Sequence, residues 1–152
     1  MYLTAHAAAG AAAAGLLTAN PLVAFGLGWL SHYVVDFIPH GDEAAGEWVS
    51  RGNEVRRLTL LFSIDALVLA ALVAAQVMAR GFSWVTLAAA AGSTVPDVLW
   101  GLEKLFGRRL FGPLQQLHGR VHNALGLRLP TWLGLAFQAC FAGWFWYRLI
   151  VF

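Results

Sequence analysis

Long apolar runs that almost no charge interrupts constrain the fold of this chain more than any other feature. The clearest run covers residues 58–78 and is broken by Thr59, Ser63, Asp65 and Gln76. A helix needs about 20 such residues to cross a membrane. Over the 152 residues, 59% are hydrophobic and 12% are charged, whereas ordinary soluble domains carry about 25% charged residues. The composition therefore predicts a membrane protein.

Turn-forming residues divide the chain into apolar segments at about residues 4–19, 22–38, 58–78, 82–102, 113–128 and 131–152. These runs are too long, and too rich in Ala and Leu, for the alternation of a strand. A membrane also admits only helices and closed barrels. We therefore predict one all-α domain, residues 1–152, forming an integral membrane bundle of about five to six helices. Segments 4–19 and 113–128 are expected to be short or re-entrant.

The distribution of basic residues predicts how such a bundle is oriented. If six segments alternate, residues 40–57, residues 103–112 and both termini share one side of the membrane. That side holds most of the basic residues: Arg51, Arg56, Arg57, Lys104, Arg108, Arg109 and Arg148. The positive-inside rule then places both termini in the cytoplasm of a bacterial-type inner membrane.

Other classes of protein fit the sequence less well. The formal charge of +2 and the scattered basic residues do not indicate a nucleic-acid partner. Residues 1–19 are Ala-rich and short like a signal peptide, but no basic region precedes them, so we expect a mature helix. Cys140 is the single cysteine and leaves the redox compartment open.

Two pairs of residues at four-residue spacing carry chemistry within these apolar runs: His32 with Asp36, and His118 with His122. Residues four apart share one face of a helix, so each pair can offer two convergent donor atoms to one ion. Ionisable groups at membrane depth are costly unless they pair, line water or hold a metal. These pairs therefore predict a metal site.

Helix arithmetic brings further polar residues to the same level. His6 lies about 14 residues before the first turn and Asp36 about 15 after it, so both are ~22 Å from that turn. Asp65 and Asp97 each lie about 16 residues from Gly81, or ~24 Å. His118 and His122 come out deeper, unless their segment is tilted or re-entrant.

Residue type, spacing and predicted height together indicate a set of candidate metal ligands and a pair of candidate acid–base groups. Asp65 also suits a hydrogen bond to a ligating histidine. His40 and Asp42, in the loop after the second segment, are the candidates for proton transfer. The predicted metal ligands are His6, His32, Asp36, Asp65, Asp97, His118 and His122.

Imidazoles and carboxylates without thiolates suit zinc, iron or manganese. The candidates exceed the three or four donors that one zinc ion requires, which indicates one or two ions. Metal-assisted hydrolysis is the expected chemistry. Two alternatives use the same residues. One is a metal-ion or proton transporter, and the other is a non-catalytic membrane protein in which histidines bind metal or haem.

The stretch from His32 to His40, HYVVDFIPH, resembles in shortened form the HYxxDxxxPxH signature of zinc-dependent phospholipase C and P1-type nucleases. The order of His6, this stretch, Pro96-Asp97 and the late histidine pair is similar to the YdjM-like family of membrane-bound metal-dependent hydrolases. The resemblance implies an inner-membrane helical hydrolase that binds zinc and acts on a lipid or small-molecule phosphoester. It implies metal-binding roles for His6, His32, Asp36, Asp97, His118 and His122. The late pair is more closely spaced than in that family, and the HxxxE pair of the soluble phospholipases is absent.

Overall fold

The computed structural model describes residues 1–107 and 109–152, so Arg108 and its predicted contribution to the basic side lie outside the described residues. Within those two ranges the chain forms seven helices and no strand. The predicted all-α class is confirmed. The helices are α1 (Leu3–Leu17), α2 (Pro21–Asp36), α3 (Glu43–Ser50), α4 (Glu54–Arg80), α5 (Trp84–Phe106), α6 (Gly112–His122) and α7 (Thr131–Val151).

Capping residues explain why the long helices begin and end where they do. The Asn20 side chain accepts hydrogen bonds from the backbone N–H groups of Leu22 and Val23, and Pro21 occupies the first turn of α2. Asn53 likewise accepts from Arg56 N at the start of α4. These caps satisfy N–H groups that have no partner within the helix. Gly81, with φ +81°, ends α4 in a conformation that favours glycine.

The first helix is the centre of the bundle. Ten of its 15 residues are buried, and it packs against α2, α4, α5 and α7. Its run of Ala and Gly allows this crowding because small side chains let helix backbones approach closely.

The helices α2 and α5 make the closest backbone contact, through two glycines. A Cβ atom added at Gly28 would lie 2.9 Å from the carbonyl carbon of Ala89, and one added at Gly92 would lie 2.9 Å from that of Phe25. By contrast, a Cβ at Gly26 would meet no described residue within 4 Å. Because the two glycine contacts are reciprocal, they fix the spacing of α2 and α5.

Two helices, α4 and α5, are long and apolar enough to cross a membrane by length and composition. The most apolar 18-residue stretch of α4 has mean hydropathy 2.4, and 6% of it is buried in the protein. Leu67 and Met78 on this helix are 71% and 88% exposed. An outward-facing apolar surface of this kind supports association with a membrane.

The course of the chain corrects two expectations. The polar stretch after residue 40 contains α3, so the count exceeds the predicted five to six helices. The α6 helix has 11 residues, or about 16 Å, and does not return across the bundle. Placing both termini on one side was therefore wrong. Met1 lies beside Asp36, whereas the C-terminal Phe152 contacts Arg80 at the opposite end.

Candidate metal centre

All five histidines of the chain converge at one end of the bundle, which we call the site end. There α1 begins, α2 and α5 finish, and α3 and α6 lie nearby. Three aspartates join the histidines. The converging residues are His6 from α1, His32 and Asp36 from α2, His40 and Asp42 from the following loop, Asp97 from α5, and His118 and His122 from α6.

Four of these residues, His32, Asp36, Asp97 and His118, form what we call the first group. Asp36 Oδ2 lies 3.0 Å from the Nε2 atoms of both His32 and His118. The two Nε2 atoms are 3.3 Å apart, and Asp97 Oδ1 lies 3.9 and 3.5 Å from them. Donors around a tetrahedral zinc ion with 2.0–2.1 Å bonds would be about 3.3 Å apart. The first group therefore has the spacing of a metal site.

A backbone carbonyl orients His32 toward this group. His32 Nδ1 lies 2.7 Å from the carbonyl oxygen of Ser93, and because a carbonyl can only accept, Nδ1 carries the proton. In the neutral ring Nε2 then carries a lone pair, and this lone pair faces Asp36 Oδ2 at 3.0 Å. Two acceptors at that separation repel each other unless a proton or a cation lies between them. A bound metal ion would satisfy both, and metal-ligating histidines commonly show this arrangement.

His6 is fully buried beside the first group. Its Nε2 lies 3.1 Å from Asp36 Oδ1 and 3.7 Å from Asp97 Oδ2. Its ring stacks on that of His32, with centroids 3.9 Å apart. Neither ring nitrogen makes a well-directed hydrogen bond to any residue that the structure describes. A buried imidazole without such a partner is costly, so His6 is available as a further donor.

What we call the second group comprises Asp36, His40, Asp42 and His122. The Nε2 atoms of His40 and His122 are 3.1 Å apart, and Asp42 lies 3.1 Å from the first and 3.4 Å from the second. Asp36 Oδ1 is 3.9 Å from His40 Nε2. Burial would raise the pKa of Asp42, but the hydrogen bond from His122 and the nearby charge of the Met1 amino group outweigh it and hold the pKa well below its ordinary value. The hydrogen bond to Asp42 in turn raises the pKa of His122.

The loop that carries His40 is held against α7. Gln138, which is buried, donates its Nε2 to the carbonyl oxygen of His40 at 2.8 Å. Gly41 has φ +69°, and a Cβ atom added at Gly134 would lie 2.6 Å from its Cα. His40 Nδ1 lies 2.7 Å from the carbonyl oxygen of Ile38 and donates its proton to it. The lone pair of Nε2 is therefore left free to bind a metal ion.

Asp65 lies outside both groups. Its carboxylate accepts hydrogen bonds from the backbone N–H groups of Leu3 and Thr4, at 2.5 and 3.3 Å, and from the Thr4 hydroxyl. A carboxylate at this position satisfies unpaired N–H groups and complements the positive end of the helix dipole. Asp65 therefore caps α1, the helix that carries His6, and is not placed to bind an ion in either group.

A cavity of about 490 Å³ opens beside both groups. Asp42, Asp97, His118 and His122 line its polar end. The lining from α3, α4 and α5 is largely apolar, with Val49, Leu58, Leu61, Phe62 and Trp100, but it also includes Asp65 and Glu103. Of the two residues expected to transfer protons, Asp42 faces this cavity. His40 is 2% exposed and is not among the described residues that line it.

Sequence reasoning missed the residues that orient the donors. The carbonyl of Ser93 leaves no side-chain signal, and Gln138 lies in an apolar segment with no visible partner. The buried histidines and aspartates of the two groups could hold a metal ion. Comparisons of the chain with family models, curated proteins and solved structures find no match.

Proposed function

We propose that this chain is a membrane-embedded, metal-dependent hydrolase that acts on a phosphoester of a lipid or lipid-linked substrate. One observation carries the proposal: a group of nitrogen and oxygen donors with the spacing of a metal site lies at the polar end of a half-apolar cavity.

The donor set supports a hard or borderline divalent ion. His32, His118 and two carboxylates provide nitrogen and oxygen donors without a thiolate, a combination found around zinc, iron and manganese. Zinc is our choice because the first-group spacing fits a tetrahedron with zinc–ligand bond lengths.

The cavity supports an amphiphilic substrate. A headgroup at Asp97 and His118 would lie against the metal, while a hydrocarbon chain would contact Leu61, Phe62 and Trp100 in the apolar part of the lining. Burying an apolar chain there contributes roughly 25 cal/mol per Å². A water-soluble phosphoester would leave that part of the lining unused.

The surface of the bundle supports placement in a membrane with the site end at the cytoplasmic interface. The outward faces of α4 are apolar and exposed. Near the site end, Lys104 at the end of α5 pairs with Glu54 at the start of α4, 2.9 Å apart. Arg51, Arg56, Arg57 and Arg109 are neighbours of these two residues in the sequence. A basic end of this kind favours the cytoplasmic side.

A metal ion at the polar end of this cavity would support hydrolysis of a phosphoester. A divalent ion supplies a Lewis acid that polarises a phosphoryl oxygen and lowers the pKa of water. A water oxygen then bonds to phosphorus, the ester P–O bond breaks, and the proton passes to the departing oxygen. The polar end of the cavity would receive the phosphate, while the apolar part of the lining aligns the ester. The resemblance of residues 32–40 to zinc-dependent phospholipases supports the same reaction.

The test measures metal content and activity on the same protein. The full chain is purified in detergent, its divalent metals are quantified, and release of phosphate or headgroup from mixed phospholipid micelles is measured. We expect at least one tightly bound ion per chain and metal-dependent release. The variant His32→Ala should lose both, whereas Leu30→Ala, at an exposed position on the same helix, should keep both.

Two results would contradict the proposal. A wild-type protein without a tightly bound ion would remove the metal centre. A metal-loaded protein that releases nothing from any lipid phosphoester, under conditions where Leu30→Ala and the wild type are folded, would remove the hydrolase.

A further inference from the structure

We propose that the second group binds a second divalent ion and that Asp36 bridges the two ions with its two carboxylate oxygens. This inference deepens the proposed function and rests on it for its catalytic meaning. It assigns His40 and Asp42 to ion binding, in place of the proton transfer expected from the sequence.

The second group supplies three residues that the first group does not use. Asp36, His40 and His122 have donor atoms that lie within 4.8 Å of one another. Asp42 lies beside them, with Oδ2 3.1 Å from His40 Nε2 and Oδ1 3.4 Å from His122 Nε2. The Asp42 carboxylate would supply the fourth donor that a tetrahedral ion requires. His40, Asp42 and His122 do not belong to the first group, so both ions can be bound at once.

The two oxygens of the Asp36 carboxylate have different neighbours. Its Oδ2 faces His32 and His118 of the first group, at 3.0 Å each. Its Oδ1 lies 3.1 Å from His6, beside the first group, and 3.9 Å from His40 of the second group. A bidentate bridge of this kind suits the separation of about 3.5–4 Å seen between ions in two-metal hydrolases.

The orientation of His40 also favours a cation at the second group. Its Nδ1 proton is used by the Ile38 carbonyl, so the neutral ring directs a lone pair at the Nε2 atom of His122 and at the Asp42 carboxylate. His40 is almost completely buried. Lone pairs that converge in a buried space repel one another unless a cation lies among them.

In this structure the amino group of Met1 lies among these lone pairs. The amino group of Met1, an ammonium, is 2.8 Å from His40 Nε2, 2.9 Å from Asp36 Oδ1 and 3.4 Å from Asp42 Oδ2. It contacts three of the four proposed donors. A metal ion bound to these donors would therefore have to displace the Met1 amino group and take over its charge.

A second ion would complete the polar end of the cavity. Asp42 and His122 line the cavity from one side, and Asp97 and His118 from the other. Two ions so placed would contact both the attacking and the departing oxygen of a phosphoester, as in two-metal hydrolysis. The second group thus lies where the proposed reaction needs it.

Cobalt(II) tests the second site without any substrate. The full chain, stripped of metal in detergent, is titrated with cobalt(II) while visible absorption and electron paramagnetic resonance are recorded. We expect two equivalents to bind, with the second attenuating the resonance of the first because both ions share Asp36. His122→Ala should bind one equivalent with an uncoupled signal. Gln116→Ala, at an exposed position on the same helix, should behave like the wild type.

Each outcome has a separate meaning for the two proposals. One equivalent in both the wild type and His122→Ala would overturn the second site, whether or not the protein hydrolyses lipids. Two equivalents without magnetic coupling would also overturn it, because the second ion would then lie away from Asp36. Two coupled ions in a protein that hydrolyses no lipid phosphoester would leave this inference standing and refute the hydrolase.

Discussion

Substitution of Gly28 by Ala should weaken metal binding by the proposed centre without changing any donor residue. The added Cβ would lie 2.9 Å from the carbonyl carbon of Ala89, whereas ordinary contacts begin at 3.4 Å. The helices α2 and α5 must therefore separate by at least about 0.5 Å, more than the tolerance of about 0.2 Å on metal–ligand distances. That shift pulls His32 on α2 away from the Ser93 carbonyl and from Asp97 on α5.

The expected losses of folding stability and of metal affinity can be stated from these contacts. Overpacking of this kind costs about 1–3 kcal/mol of stability, and disturbing the orientation of a ligating histidine costs about 10–100-fold in metal affinity. Zinc affinity is measured by competition with a chromophoric chelator in detergent, and stability by thermal unfolding. Gly92→Ala, at the reciprocal contact with Phe25, should give the same two losses.

Gly26→Ala is the matched control on the same helix. Its Cβ meets no described residue within 4 Å, and replacing a helical glycine with alanine stabilises by about 1 kcal/mol. Its zinc affinity should equal that of the wild type. If Gly28→Ala binds zinc as tightly as Gly26→Ala, the close contact of α2 and α5 does not position the donors, and the reasoning is refuted.

Three further predictions separate supporting residues from metal-binding ones. Asp65→Ala removes the cap of α1 and should lower stability by about 1–2 kcal/mol with metal content unchanged in elemental analysis; loss of an ion would return Asp65 to the ligand set. Gln138→Leu frees the His40 carbonyl and should weaken binding of the second cobalt(II) ion about 10-fold; equal weakening of both ions would contradict this. Removing metal with a chelator should lower the thermal unfolding temperature, since ligand at about 1,000 times its Kd contributes about 4 kcal/mol; an unchanged transition would show that no ion supports the fold.

The convergence of α1 and α2 could be predicted because the rise of a helix is fixed. Counting residues from the turn at Asn20 placed His6 and Asp36 at one height, and their side chains lie 3.1 Å apart. The same counting failed for His118 and His122, since it treated residues 113–128 as one regular segment measured from Pro130. They belong instead to an 11-residue helix that stays at the site end.

The amphipathic helix α3 was missed for a related reason. Its sequence, EAAGEWVS, is polar overall and follows a proline, which are features of a loop. Val49 of this helix is buried, and contacts with α4 and α7 hold the helix against the bundle. Such tertiary contacts decide the structure of short segments, because isolated helices of this length are unstable.

The roles of individual site residues depend on backbone groups that the sequence does not reveal. Asp65 lies at the expected level, but the N–H groups of Leu3 and Thr4 use its carboxylate. His40 resembles a loop acid–base residue in the sequence, but the carbonyl of Ile38 fixes its ring and Gln138 fixes its backbone. The residue types indicated a metal site, and the backbone decides which of them can take part.

An anomalous-scattering map, recorded at the absorption edge of the metal identified by elemental analysis, tests the metal centre most directly. We predict a peak about 2.0–2.2 Å from His32 Nε2, Asp36 Oδ2 and His118 Nε2, with a second peak about 3.5–4 Å away beside His40 and His122. A protein crystallised with excess divalent metal that shows no peak between Asp36 and His118 would contradict the account.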